Sequence, residues 1–247
     1  MNAMKDSSVK VSVQGAESDL LQNGLLKATY DIAKGTIENR VEWATTRDWV
    51  WPRGEKGLLT SFNDVGDIDD YVLPLVEKRE VVIQAGGACG VFPKYLSRLF
   101  EFVYTFEPSP ELFQCLSANC QEQNVFKMQA ALSNGIGITG SQLVCGKEKY
   151  ENNRGAWYTQ AGGPIPTLYI DAIGLQALDL IYLDIEGAEH AALSGATETI
   201  EEFRPVIVVE DKESTRRGAE PWIPNWTNKM NYEIAGTFKR DVILVPK

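Results

Sequence analysis

Residues 80–90 read EVVIQAGGACG: a short β-branched run, glycines at 86, 87 and 90, then a stretch from Phe92 to Phe100 with helical apolar spacing. A short apolar run closed by turn residues is a buried strand. A glycine turn leading into a helix lets a ligand approach backbone amides at that helix's start. The spacing restricts the ligand. A dinucleotide fingerprint requires GxGxxG, but positions 88, 89 and 91 hold Ala88, Cys89 and Val91. The fit is GxxxG, from Gly86 to Gly90, and no GK[ST] follows to make a phosphate loop. A ligand without a pyrophosphate is expected.

Toward the C-terminus, strand and helix signals alternate. Glu101–Glu107 is a second strand. Ser109 can cap the next helix, with Pro110 at its first position and Leu112, Phe113, Leu116 and Cys120 as its inner stripe. Asn124–Leu132 reads as a third strand, and Gly135–Gly163 as strands around a long polar loop. Leu178–Asp184 is a strand, Ala188–Phe203 one helix with Leu193, Ala196, Ile200 and Phe203 inward, and Pro205–Glu210 the next strand. After a polar excursion over 211–229, Tyr232–Thr237 and Val242–Val245 form a closing pair. This alternation predicts an α/β fold, a doubly wound, mostly parallel seven-stranded sheet with an antiparallel C-terminal strand.

Upstream, Ile68, Tyr71, Val72, Leu75 and Val76 space a helix over Asp67–Lys78, with Pro74 set to kink or break it. Residues 1–65 show weak alternation at Val9, Val11 and Val13 and a tryptophan cluster at Trp43, Trp49 and Trp51. They are expected to form an extension or cap, leaving 66–247 as the ligand-binding domain.

Glu107 ends the second strand, 20 residues after Gly87. In open α/β sheets ligands lie beyond the carboxyl ends of the strands, and an acid there can accept two hydrogen bonds from a ribose diol. The alternative is a solvated strand-end carboxylate.

Bulk properties exclude several classes. The formal net charge of −10 comes with no basic stripe, so nucleic acid is not expected as a partner. Cys89, Cys115, Cys120 and Cys145 form no CxxC pair and there is one histidine, so neither a disulfide framework nor a structural metal site is expected. No uncharged apolar run of 18 residues occurs, so no membrane span is expected. The first residues lack a signal-peptide core, and a cytoplasmic location is expected. The sequence carries no signal for oligomeric state.

The segment VVIQAGGACG…VYTFEPSPELFQCLSANC…QAALSN…DLIYLDIEGAEHAALSGATETIEEFRPVIVVE, with the closing RDVILVPK, resembles the FkbM-like methyltransferases over about residues 67–247. LDIEGAEHAALSGA followed by RPVIVVE carries most of the likeness. The resemblance implies a Rossmann-like fold and S-adenosyl-L-methionine as methyl donor. It would place Gln84, Gly86, Gly87 and Gly90 along the methionine part, Glu107 on the ribose, Pro108 and Ser109 beside the adenosine, and Ala130 near the adenine. Asp184 would face the sulfonium and the acceptor. Three positions depart from the family's usual residues: Gln84 replaces an Asp, Ala88 an Asn, and Lys212 a His.

Asp184, Glu186 and Glu189 fall within six residues at a strand-to-helix junction, and Glu210 ends the adjacent strand. Methyl transfer to a hydroxyl needs near-attack positioning and a proton acceptor. Asp184 is read as orienting or deprotonating the acceptor with Glu210 helping; the alternative for Asp184 is that it only holds the donor's ammonium. Glu186 and Glu189 are read as complementing a helix N-terminus, His190 as a surface or capping residue rather than a general base, and no metal is assigned to these acids. The N-terminal tryptophan cluster, the 146–163 loop with Trp157 and Tyr158, and the 211–229 excursion with Arg216, Arg217, Trp222 and Trp226 are expected to choose the acceptor; packing anchors and a solvated turn are the alternative readings. The reading is O-methylation of a small molecule or sugar. The alternatives are N-methylation and a catalytically inactive module that binds S-adenosylmethionine or a nucleoside.

Overall fold

The computed structural model describes residues 10–12, 25–31, 49–52, 57–135, 141–144, 156–210 and 221–247. Trp43, Cys145, Lys212, Arg216 and Arg217 lie outside the described residues. The chain divides into two compact units, Met1–Glu55 and Lys56–Lys247. In the first, β1 (Lys10–Ser12), β2 (Leu25–Asp31) and β3 (Trp49–Pro52) make a three-stranded antiparallel sheet in that order. Trp49 and Trp51 on β3 are buried.

The second unit opens with a 3-10 turn at Gly57–Thr60 and α1 (Ser61–Asp67). The helical path continues through a π turn at Ile68–Val72 and a 3-10 turn at Leu73–Leu75. The helix expected over 67–78 therefore begins earlier and ends at the turn holding Pro74, which has no amide to continue the ladder.

A seven-stranded sheet follows. Its strands are β4 (Val81–Ala85), β5 (Phe102–Phe106), β6 (Val125–Met128), β11 (Leu180–Leu183), β12 (Val206–Glu210), β13 (Tyr232–Phe238) and β14 (Asp241–Pro246). The order is β13-β14-β12-β11-β4-β5-β6. Neighbours pair in parallel except β14, which is antiparallel to both β12 and β13. The central strands β4, β11 and β12 are buried throughout, as strands covered on both faces must be. The odd residues Val81, Ile83 and Ala85 join Ile181, Leu183, Ile207 and Val209 in one core. That core packs on α4 (Glu189–Ser194), α5 (Thr197–Phe203) and α6 (Ile223–Met230) through Ala192, Leu193, Ile200, Ile223, Trp226 and Met230. On the opposite face Tyr182 meets Phe92 of α2 (Val91–Leu96), ring to ring at 5.2 Å.

Between β4 and β5 on one side and β11 on the other, the chain reverses its direction of travel across the sheet. This switch point opens a crevice at the strands' carboxyl ends.

Four expectations need correction. Asn124–Leu132 is not one strand: it breaks after Met128, and β7 (Ala131–Leu132) pairs in parallel with β10 (Thr167–Leu168) outside the main sheet. The helix expected over 188–203 is two helices, broken at Gly195. A Cβ there would stand 2.2 Å from the Ser133 carbonyl oxygen, and Asp171 from a distant turn accepts the Glu198 and Thr199 amides that start α5. The second half of the polar excursion is α6, amphipathic through Ile223, Trp226, Thr227 and Met230. Helix α2 stops at Leu96, short of Phe100. The crossover from β6 to β11 contains no α-helix among the described residues; a hairpin of β8 (Ser141–Val144) and β9 (Tyr158–Ala161) lies there. No described helix is long and apolar enough to cross a membrane.

Candidate active site

The crevice holds a cavity of about 180 Å³. Its floor is the loop after β4 and the ends of β5 and β11. Phe106, Leu112, Ala130 and Leu132 supply apolar wall, and Leu143, Trp157 and Thr159 of the β8–β9 hairpin close one side. Gly86, Glu107, Pro108, Ser109, Ala130 and Asp184 all line it.

The floor is built by close approach. Gly86 has φ +87°, and a Cβ on it would lie 2.1 Å from the Asp184 carbonyl oxygen. The Gly86 and Gly87 amides both donate to the Phe106 carbonyl, at 3.1 and 2.9 Å, tying the loop to the end of β5. Gly87 and Gly90 do not line the cavity. A Cβ on Gly87 would press on Thr105, and Gly90 (φ +92°) starts α2 against Leu116 and Cys120.

Gln84 is buried and also absent from the cavity lining. Its carbonyl oxygen accepts the Thr105 hydroxyl at 2.6 Å from the paired residue of β5, and its amide donates to the Ala85 and Gly86 carbonyls. Its polar atoms thus brace the floor from behind, which satisfies a polar group in an otherwise apolar strand.

Glu107 is buried at the other end. One carboxylate oxygen accepts the Ala88 amide and the other the Ser109 amide, each at 2.8 Å. Ala88 reaches this position in the left-handed region, at φ +44°. Burial pushes the Glu107 carboxyl up to about 7, against the pull of these two amides. Ser109 also caps α3 (Pro110–Asn119) by accepting the Leu112 amide at 3.3 Å.

At the β11 end, Asp184 is exposed in the cavity wall, with Ile185, Glu186 and Ala188 beside it. Oxygens of Asp184, Glu186 and Glu210 lie within 4.8 Å of one another, a spacing a hard divalent cation could bridge. Glu210 is buried and outside the cavity lining; Arg240 approaches it at 3.6 Å. Glu189 does not simply complement a helix N-terminus. Its carboxylate is buried and one oxygen accepts both the Ile185 and Gly187 amides, at 3.0 and 3.3 Å. Burial raises it to about 7. His190 stacks on Trp222 at 4.9 Å and 17° and does not line the cavity.

A family model described as the methyltransferase FkbM domain matches residues 87–234. The chain belongs to this family. The match takes in the cavity-lining residues from Ala88 to Ala188. No protein of curated function matches by sequence. Among solved structures, the chain is similar to the FkbM methyltransferase of Methylobacillus flagellatus KT, with 20% identity over 70% of this chain and a TM-score of 0.46. It spans 45% of that protein's length. The magnesium protoporphyrin IX methyltransferase of Synechocystis PCC 6803, solved with bound S-adenosylmethionine, aligns at 12% identity over 88% of this chain and all of its own, with a TM-score of 0.43. The ribosomal protein L11 methylase of Lactobacillus delbrueckii subsp. bulgaricus aligns at 9% identity over 79% and 83%, with a TM-score of 0.42.

Some of this FkbM-domain site escapes sequence reasoning. The Ala88 amide as partner of Glu107, and Ile185 and Glu186 as cavity wall, follow from left-handed backbone at Ala88 and Glu186 (φ +58°), which neither residue type announces. Trp157, an aromatic of the Gly-rich loop, is one the sequence does mark out, and it lines the cavity.

Proposed function

We propose that the domain over residues 66–247 transfers a methyl group from S-adenosyl-L-methionine to a hydroxyl of a small molecule or sugar. The observation that carries the reading is the placement of Glu107 and Asp184 in one cavity, directly after the two strands, β5 and β11, that flank β4 at the sheet's switch point. The residues fit the donor. Each Glu107 oxygen holds one backbone amide and keeps a lone pair for a ribose hydroxyl. Phe106, Leu112, Ala130 and Leu132 offer apolar lining for the base, and Gly86 lets the loop pass against the Asp184 carbonyl where any Cβ would clash. Pro108 and Ser109 complete the adenosine end.

When bound, the donor supplies an electrophilic methyl carbon whose bond to sulfur breaks as the acceptor oxygen attacks, leaving a neutral thioether. Asp184 holds the acceptor hydroxyl and takes its proton, with Glu210 beside it helping to orient the acceptor. Gln84, Gly87 and Gly90 act through the loop they shape. Cavity-lining Trp157 and Thr159 restrict what reaches Asp184.

Calorimetric titration of the full chain with S-adenosylmethionine, S-adenosylhomocysteine and NAD tests the donor. Binding of the first two and not the third is expected; no binding of either sulfur ligand below millimolar concentration ends the reading. With a hydroxyl acceptor in hand, Asp184→Asn should lower kcat by about 100-fold or more while the donor still binds. Nearly full activity on an amine would instead favour N-methylation.

A further inference from the structure

Glu189 is a buried acid that donor and acceptor binding, as read above, leaves without a task. Its carboxylate folds back on its own loop, where a single oxygen receives the amides on both sides of Glu186, those of Ile185 and Gly187. Glu186 is thereby bracketed in the left-handed region at φ +58°, followed by Gly187 at φ +100°. A bulky non-glycine residue is held there only when its surroundings over-determine the turn. The consequence is spatial: Ile185, Glu186 and Ala188 line the cavity beside Asp184, on the β11 side, away from the Glu107 end. Charged residues lining the cavity are Glu107, Glu111, Asp184 and Glu186, with no lysine, arginine or histidine among the described lining residues.

We propose that Glu189 is a positioning residue: through the Ile185 and Gly187 amides it fixes the turn that keeps Glu186 in the wall beside Asp184, and Glu186 makes that end of the cavity prefer a positively charged sulfonium over the neutral thioether left after transfer. This rests on the donor assignment above. A cation a few ångströms from a partly desolvated carboxylate gains attraction that a neutral ligand of the same shape does not. The arrangement binds the fresh donor and lets go of the spent one.

The test uses the full chain and two probes, S-adenosylmethionine and S-adenosylhomocysteine, titrated calorimetrically into wild type, Glu186→Gln, Glu189→Ala and Glu189→Gln. Wild type is expected to bind the sulfonium more tightly. The ratio of the two Kd values should shift against the sulfonium by about tenfold in Glu186→Gln and Glu189→Ala. Glu189→Gln should restore it to within about twofold of wild type, because the amide carbonyl can accept both backbone amides as the carboxylate oxygen does. A residue that merely supports folding would change the melting temperature and leave the ratio alone. An unchanged ratio in folded Glu189→Ala, or Glu189→Gln behaving like Glu189→Ala, overturns the proposal. Should Glu189→Ala not fold, Glu189→Ser takes its place with the same expected shift, and an unchanged ratio in Glu186→Gln overturns the proposal by itself. Wild type binding neither probe would instead sink the donor assignment itself.

Discussion

Donor binding should be coupled to the loss of a proton from Glu107. In the ligand-free chain burial holds this carboxyl near 7, up from the ordinary 4.5, although two amides at 2.8 Å favour its charged form. A ribose diol would add two further donors to the carboxylate and so pull its pKa back down. If the bound value returns to about the ordinary range, affinity should fall about tenfold between pH 8 and pH 6, and about half a proton should leave per site at pH 7. Titrations of S-adenosylmethionine in buffers of different ionisation enthalpy, repeated from pH 6 to pH 8, measure both quantities. Glu107→Gln cannot accept at both ends: its NH2 group would face either the Ala88 or the Ser109 amide. It should lose about 1–3 kcal/mol of binding and flatten the pH dependence. Flat affinity in the wild type, with no buffer-dependent heat, would refute the assignment of Glu107 to the ribose.

The same acid shapes stability without ligand, together with Glu189. Both carboxyls sit near 7 when folded and near 4.5 when unfolded, so the folded chain binds these protons more tightly. Their contribution should be lost as pH rises from 4.5 through 7, by an order of about 3 kcal/mol each, visible in urea midpoints once other groups are matched with Gln variants. Gly86→Ala should destabilise by about 3 kcal/mol or more and abolish donor binding, since its Cβ would meet the Asp184 carbonyl at 2.1 Å in a backbone conformation alanine avoids. Ala88→Gly should raise stability by about 0.5–1 kcal/mol by relieving the φ of +44° while leaving the amide on Glu107; a lower melting temperature would contradict this. Asp171→Ala should cost about 1–2 kcal/mol, because the start of α5 loses its acceptor, and denaturant unfolding reads it.

Features carried by one segment were legible in the sequence: the buried 81–85 strand, Ser109 and Pro110 at the start of α3, and the closing antiparallel pair. Features set by a distant partner were not. The break at Gly195 preserves helical spacing on both sides, so periodicity reads through it; the Asp171 cap and the Ser133 carbonyl that force it come from other loops. Helix α6 was obscured by the polar residues before it, although Ile223, Trp226, Thr227 and Met230 carry its spacing. Gln84 occupies a cofactor-side position by resemblance, yet its polar atoms turn to Thr105 and two carbonyls. That outcome depends on the β4–β5 register placing Thr105 opposite it. Gly86, Glu107 and Asp184 were readable as neighbours because each ends an element at the same edge of a parallel sheet.

The hairpin of β8 and β9, in a crossover with no α-helix among its described residues, gives the cavity one wall with its own hydrogen-bond ladder. Leu143, Trp157 and Thr159 come from it, whereas Gly86, Glu107 and Asp184 each directly follow a strand of the main sheet, β4, β5 and β11. Wall and floor are thus carried by separate hydrogen-bond ladders: changes in β8 or β9 would alter the cavity's Leu143 and Thr159 side while the loops after β4, β5 and β11 stay in register.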